Sequence, residues 1–122
     1  MSGKVTIIQY PKCSTCRAAV KSLEAKGNEV AFRHIVEQTP TASELKELIA
    51  LSGLDMKKWF NTSGEVYREL GLKDKLPLMS EEEKLELLSQ HGMLLKRPIV
   101  TDGTKVTVGY KEENYEQVWG AK

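Results

Sequence analysis

Apolar positions along this chain change period several times, and each change marks an element. Val5-Thr6-Ile7-Ile8-Gln9-Tyr10 is a short β-branched run stopped by Pro11, which predicts a buried first strand. The period then lengthens. Cys16, Ala19, Val20 and Leu23 recur at helical spacing until Gly27-Asn28 supplies a C-terminal stop. Val30-Ala31-Phe32-Arg33-His34-Ile35-Val36 returns to strand character, and a crossover this short calls for a parallel, right-handed β-α-β unit.

From about residue 39 to residue 92 the pattern is helical. Thr41-Ala42-Ser43-Glu44 has the spacing of a capping box and opens a helix with Leu45, Leu48 and Ile49 on its apolar stripe, ended by Ser52-Gly53. Ser80-Glu81-Glu82-Glu83 opens another in the same way, with Leu85, Leu87 and Leu88 available for burial until His91-Gly92. Its glutamates suit the positive end of the helix dipole. Between the two, Trp59-Phe60-Asn61-Thr62-Ser63-Gly64 reads as a turn leading into a short helix with Tyr67 and Leu70. Beyond residue 92, Asp102-Gly103 between two β-rich runs, Pro98-Ile99-Val100-Thr101 and Lys105-Val106-Thr107-Val108-Gly109-Tyr110, predicts a hairpin. A last helix from about Glu112 to Trp119 carries Tyr115, Val118 and Trp119 on one side. The expected architecture is therefore α/β: β-α-β, a helical insert over about residues 39–92 between the second and third strands, then β-β-α. Trp59, Phe60 and Trp119 are expected in the core.

With 122 residues, 40% of them hydrophobic, the chain is long enough to bury a core as one domain, residues 1–122. Its formal charge of +1, with acids and bases interspersed, offers no electrostatic footprint for direct nucleic-acid binding or an anionic membrane surface. Met1-Ser2-Gly3-Lys4 runs into the first strand without the apolar stretch of a signal peptide. A cytoplasmic monomer is the expectation.

The candidate chemistry lies in the only two cysteines, Cys13 and Cys16, set in Tyr10-Pro11-Lys12-Cys13-Ser14-Thr15-Cys16-Arg17 between the first strand and the first helix. A thiol at a helix N-terminus meets unpaired N–H groups and the positive end of the helix dipole, which stabilise its thiolate. Cys13 is the expected nucleophile. Cys16 lies one turn behind it, within reach of an adduct formed there, and is the expected resolving thiol. Zinc is disfavoured, because the remaining ligands are His34 and His91, far apart and without an H-x₃₋₅-H pattern. Two inert buried thiols, or a structural disulfide closing a very short loop, remain as the plainer alternatives. Ser14 and Thr15 are expected first as helix-capping hydroxyls, and with the local backbone N–H groups they also form a cradle for an oxyanion. Arg97 serves equally as a solvated cation at a strand start or as a forked donor to an oxyanion or thiolate. His34 is expected to be structural.

Taken together, Tyr10-Pro11-Lys12-Cys13-Ser14-Thr15-Cys16-Arg17, Phe60-Asn61-Thr62-Ser63-Gly64, and Leu95-Lys96-Arg97-Pro98-Ile99-Val100 followed by Val108-Gly109-Tyr110 resemble the thioredoxin-like arsenate reductase family that also includes the Spx regulators. The resemblance runs over essentially the whole chain and is strongest to an arsenate reductase-like branch. It implies a thioredoxin-like mixed sheet, Cys13 as the attacking thiol, Arg97 as the oxyanion-holding arginine, and Pro98 as the cis-proline facing the active cysteine. Lys12, Ser14, Thr15, Asn61 and Pro98 are then substrate-binding positions. The resemblance also implies no bound cofactor or metal, a small oxyanion or disulfide as substrate, and reduction by glutathione with glutaredoxin or by thioredoxin. Where arsenate reductases of this type carry two further arginines, this chain has Asn61 and, near Gly109-Tyr110-Lys111, none; Lys111 or Lys12 offers a partial replacement. The Spx resemblance implies an alternative without turnover: a redox-sensing regulator whose Cys13–Cys16 oxidation state governs binding to the RNA polymerase α subunit.

Overall fold

The computed structural model describes residues 3–120; Met1 and Ser2, the lead-in to the first strand, lie outside the described residues. The chain forms two compact units, one comprising residues 1–34 and 97–122 and the other Ile35–Lys96.

The first unit is built on β1 (Lys4–Gln9), α1 (Ser14–Ala25), β2 (Glu29–His34), β3 (Ile99–Thr101), β4 (Val106–Val108) and α6 (Glu112–Trp119). Its four-stranded sheet has the order β2-β1-β3-β4. β1 and β2 are parallel from Lys4↔Glu29 to Gln9↔His34, whereas β3 is antiparallel to β1 through Thr6↔Thr101, Ile7↔Val100 and Ile8↔Ile99. β3 and β4 form the predicted hairpin. Its turn is tied by Asp102 Oδ1, which accepts from the Thr104 and Lys105 N–H groups at 2.9 and 2.8 Å. Gly103 adopts φ 96° there, a left-handed conformation open to glycine without Cβ strain. The predicted strand 30–36 stops at His34, because Ile35 and Val36 turn away and their carbonyls both accept from the Thr39 hydroxyl, at 2.7 and 2.9 Å.

Alternation along β1 places Val5 and Ile7 on one face, where they pack with Ala19 and Leu23 of α1, Val100 of β3, and Tyr115 and Trp119 of α6. Polar groups lock α6 onto this core. Trp119 Nε1–H donates to Thr107 Oγ1 at 3.0 Å. Asn28 Nδ2 donates to both the Leu23 and Trp119 carbonyls, at 3.1 and 3.0 Å. Glu112 accepts from the Ser22 and Tyr110 hydroxyls, both at 2.7 Å, and pairs with Lys26.

The second unit is helical: α2 (Ala42–Ser52), α3 (Glu65–Glu69), α4 (Leu72–Lys75) and α5 (Glu81–Gln90), with 3₁₀ turns at Met56–Trp59, Leu76–Leu78 and Gly92–Leu94. Both predicted capping boxes form, Thr41 with Glu44 and Ser80 with Glu83. α2 packs against α5, with Leu45, Leu85 and Leu88 buried, while Leu87 is only half-buried. Residues 59–61 and 94–96 zip together: Phe60 bridges Leu95, Asn61 N–H donates to the Leu94 carbonyl, and Lys96 N–H donates to the Trp59 carbonyl, both at 2.8 Å. Trp59, Phe60 and Trp119 are all buried. α4 and the 3₁₀ turns were not legible in the sequence, since pieces of three or four residues carry too little periodicity.

Candidate active site

Helix α1 begins where β1 and its exit turn deliver Cys13. The Cys13 N–H donates to the Tyr10 carbonyl at 3.0 Å, closing the turn over Pro11-Lys12. Cys13 then takes the N-cap position with extended backbone, φ −90° and ψ 117°, and its Sγ accepts from the Cys16 N–H at 3.3 Å. This corrects the expectation for Ser14 and Thr15. The cap is the cysteine itself, and Ser14 and Thr15 are the first two helical residues, both exposed. Sulfur does here what an N-cap oxygen ordinarily does, satisfying one of the orphan donors of the first turn.

Cys13 is half-buried and Cys16 fully buried, and both are free thiols. Their acidities are pushed apart. Burial pushes the Cys13 thiol up, but hydrogen bonds from the Cys16 side chain and backbone, together with the charge and hydrogen bond of Arg97, outweigh it and hold Cys13 below the ordinary thiol value. Burial, donation of its proton to Cys13 and repulsion by the Cys13 charge push Cys16 up to about 12. The turn thus pairs a thiol that ionises more readily than usual with one that resists ionisation, the readier one being the more accessible sulfur.

Arg97 reaches this turn through strand register. Ile8 pairs with Ile99 in the antiparallel β1/β3 ladder, so continuing two residues beyond the ladder sets Arg97 opposite Tyr10. The guanidinium stands over the Tyr10 ring, its Cζ 5.8 Å from the centroid. Pro98 is buried, the Arg97–Pro98 peptide is cis, and the Pro98 carbonyl accepts from the Gly109 N–H at 2.8 Å, anchoring this corner to the end of β4. On the β2 side, register sets Gln9 beside His34, and the His34 ring meets Tyr10 edge-on at 5.8 Å and 83°.

The first unit therefore brings Cys13, Cys16, Arg97 and Pro98 to one end of its sheet, with Lys12, Ser14 and Thr15 on the exposed side of the cysteine turn. Lys111 precedes α6 at its N-cap position, makes no side-chain capping bond and is exposed. Asn61 belongs to the helical unit, where its side chain folds over Gly64: a Cβ on that glycine would lie 2.8 Å from Asn61 Nδ2. In the sequence Tyr10 is marked only by its place in the motif. Its signal was an aromatic residue directly preceding the cysteine turn. Among the described residues no cluster of His, Cys, Asp or Glu could hold a metal ion, and no helix is long and apolar enough to cross a membrane.

Comparison with known proteins places this geometry in context. The model of the ArsC family matches residues 8–118. The chain is 59% identical over 115 residues to the uncharacterized protein YusI of Bacillus subtilis, covering 94% of this chain and 98% of that one. It is 34% identical over 110 residues to the regulatory protein MgsR of the same organism, with coverage of 90% and 86%. Identity to an arsenate reductase of Neisseria meningitidis serogroup A is 33% over 116 residues, with coverage of 94% and 97%. Among solved structures, an ArsC family related protein from Bacteroides fragilis superposes with a TM-score of 0.88 at 50% identity, over 93% of this chain and 95% of that one.

Proposed function

The chain belongs to the ArsC family, and from that premise we propose that it is a cytoplasmic thiol oxidoreductase with Cys13 as nucleophile and Cys16 as resolving thiol. The observation that carries this reading is the divided pair: an accessible sulfur capping α1 beside Arg97, and a buried thiol one turn behind it whose N–H and S–H both serve that sulfur.

The chemistry balances as thiol–disulfide exchange. Cys13 thiolate attacks one sulfur of a disulfide, a mixed disulfide forms, and the other half departs as a thiolate. Loss of the Cys13 negative charge removes one of the causes that hold Cys16 protonated. Cys16 then gives up its proton and attacks Cys13 Sγ, expelling the second half and leaving a Cys13–Cys16 disulfide. Two electrons from glutathione with glutaredoxin, or from thioredoxin, restore the dithiol. With an oxyanion such as arsenate, Cys13 displaces water from the protonated oxyanion, and attack by Cys16 on Cys13 releases the oxyanion reduced by two electrons. Arg97 holds the anionic partner in either case, Lys12, Ser14 and Thr15 line the approach, and Pro98 completes the substrate positions of the first unit. A single arginine suits a disulfide, which develops one negative charge at a time, better than a dianionic oxyanion.

A second reading is favoured by the likeness to the regulatory protein MgsR: oxidation of the same pair would alter binding to the RNA polymerase α subunit, with no substrate turned over. The test is NADPH oxidation coupled through glutathione reductase, glutathione and glutaredoxin, with arsenate or a small disulfide, beside Cys13→Ser. Turnover lost in that variant supports the oxidoreductase and identifies its substrate. Absence of turnover on both substrates, also with thioredoxin and its reductase, transfers the assignment to the regulator.

A further inference from the structure

Tyr10 meets both the cysteine turn and Arg97. Its carbonyl accepts from the Cys13 N–H at 3.0 Å, and its ring lies under the Arg97 guanidinium, 5.8 Å from Cζ to the centroid. The ring is itself steadied by His34, which abuts it edge-on from the neighbouring strand.

We infer that Tyr10 is a positioning residue: its ring holds the Arg97 guanidinium toward the Cys13 sulfur, while its backbone fixes the cysteine turn against the same point. The inference rests on the reading of Arg97 given above. An arginine side chain has many rotamers, and ordering it opposes any contact it makes. A cation within about 6 Å of an aromatic centroid is attracted by the ring quadrupole, so a flat ring beneath the guanidinium lowers the cost of keeping its fork aimed at the thiolate. Strand register supplies the ring where it is needed, since Tyr10 and Arg97 stand opposite one another just beyond the β1/β3 ladder. The attraction belongs to the ring face, so phenylalanine should replace Tyr10 and an aliphatic residue should not. Such a residue is not catalytic, because it acts on the reacting sulfur through Arg97.

The test is the pH dependence of Cys13 alkylation by iodoacetamide in the reduced full-length protein, with the modified residue assigned by mass spectrometry. Wild type is compared with Tyr10→Phe, Tyr10→Leu, Arg97→Gln and the Tyr10→Leu/Arg97→Gln double variant. Tyr10→Phe should react within about twofold of wild type, and Tyr10→Leu about fivefold more slowly at neutral pH, the equivalent of ~1 kcal/mol of cation–π attraction. The double variant should be no slower than Arg97→Gln alone, because both changes break one pathway. A normal rate for Tyr10→Leu beside a slowed Arg97→Gln overturns the role of Tyr10 and leaves that of Arg97 standing. A normal rate for Arg97→Gln overturns both, since nothing is left to position. An equal further slowing by Tyr10→Leu in the Arg97→Gln background also overturns it, because the effect would then run through the fold. Should Tyr10→Leu fail to fold, the guanidinium resonances of Arg97 in wild-type protein decide. Ring-current displacement from those of the exposed Arg17 and Arg68 is expected, and coincidence with them refutes the stack.

Discussion

Cys13 caps helix α1 with the sulfur that carries the proposed chemistry, so a short substitution series separates the two duties. Cys13→Ala deletes the acceptor that the Cys16 N–H meets at 3.3 Å, and losing an N-cap side chain costs about 1 kcal/mol. For a chain of this size that is a fall of about 4 °C in Tm. Cys13→Ser keeps the cap, since serine is a preferred N-cap residue, and should melt above Cys13→Ala while being equally inactive. The ionised thiol adds a pH signature. Its pKa is lowered in the folded state, so its contribution to stability is fully present above the ordinary thiol value of 9.0 and is lost as pH falls through the lower folded value. Cys16 behaves oppositely: raised to about 12, its contribution is fully present below 9.0 and is lost as pH rises toward 12. Wild type should therefore gain on Cys13→Ser as pH rises through the window below 9.0. Thermal unfolding in excess reductant, monitored by circular dichroism at several pH values, measures both effects. Equal melting of the alanine and serine variants would refute the cap, and a wild-type advantage growing toward acid would refute the thiolate.

Three further outcomes are expected. Arg97→Gln removes both a charge and a hydrogen bond from Cys13, so the thiol pKa should rise and alkylation at neutral pH should slow about tenfold, the scale of a charge-assisted hydrogen bond; an unshifted thiolate absorbance titration refutes it. Trp119→Ala empties a core position only 4% exposed and frees the Thr107 hydroxyl, which should cost about 3–5 kcal/mol in urea unfolding. Trp119→Phe, which loses chiefly the indole hydrogen bond, should cost about 1 kcal/mol, and equal losses for the two would contradict the packing described. Hydrogen bonds from Lys26, Tyr110 and Ser22 hold the Glu112 carboxyl down at about 2. Its support is thus present above the ordinary carboxylate value of 4.5 and is lost as pH falls through about 2. Glu112→Gln should accordingly flatten the acid limb of the stability curve, and an unchanged urea midpoint profile down to pH 2 would exclude the latch.

Much of the fold is legible in the residues because much of it is local. The Thr41/Glu44 and Ser80/Glu83 boxes, the Asp102-Gly103 turn and the apolar face of α6 each depend on partners within a few positions. Chain geometry alone brings such partners together, so their spacing is a sufficient signal. The cysteine turn is legible for the same reason: Cys13 and Cys16 are one helical turn apart, and the N–H that stabilises one sulfur belongs to the residue carrying the other.

Only the tertiary structure decided what surrounds that turn. That Cys13, and neither Ser14 nor Thr15, caps α1 depends on where β1 releases the chain, because the Tyr10 carbonyl fixes the Cys13 N–H. Asn28 reads in sequence as a helix stop, yet its amide joins α1 to the last residue of α6. Arg97 carries no intrinsic mark separating it from a solvated cation. Its place over Tyr10 and beside Cys13 follows from pairing Ile8 with Ile99 across the sheet. The sequence by itself determined the reactive pair and the elements on either side of it. Arg97, the cation that adds to the turn's own hydrogen bonds in favouring the Cys13 anion, came from a distant segment, because contacts between remote segments are chosen by sheet register and burial, for which no local spacing is a code.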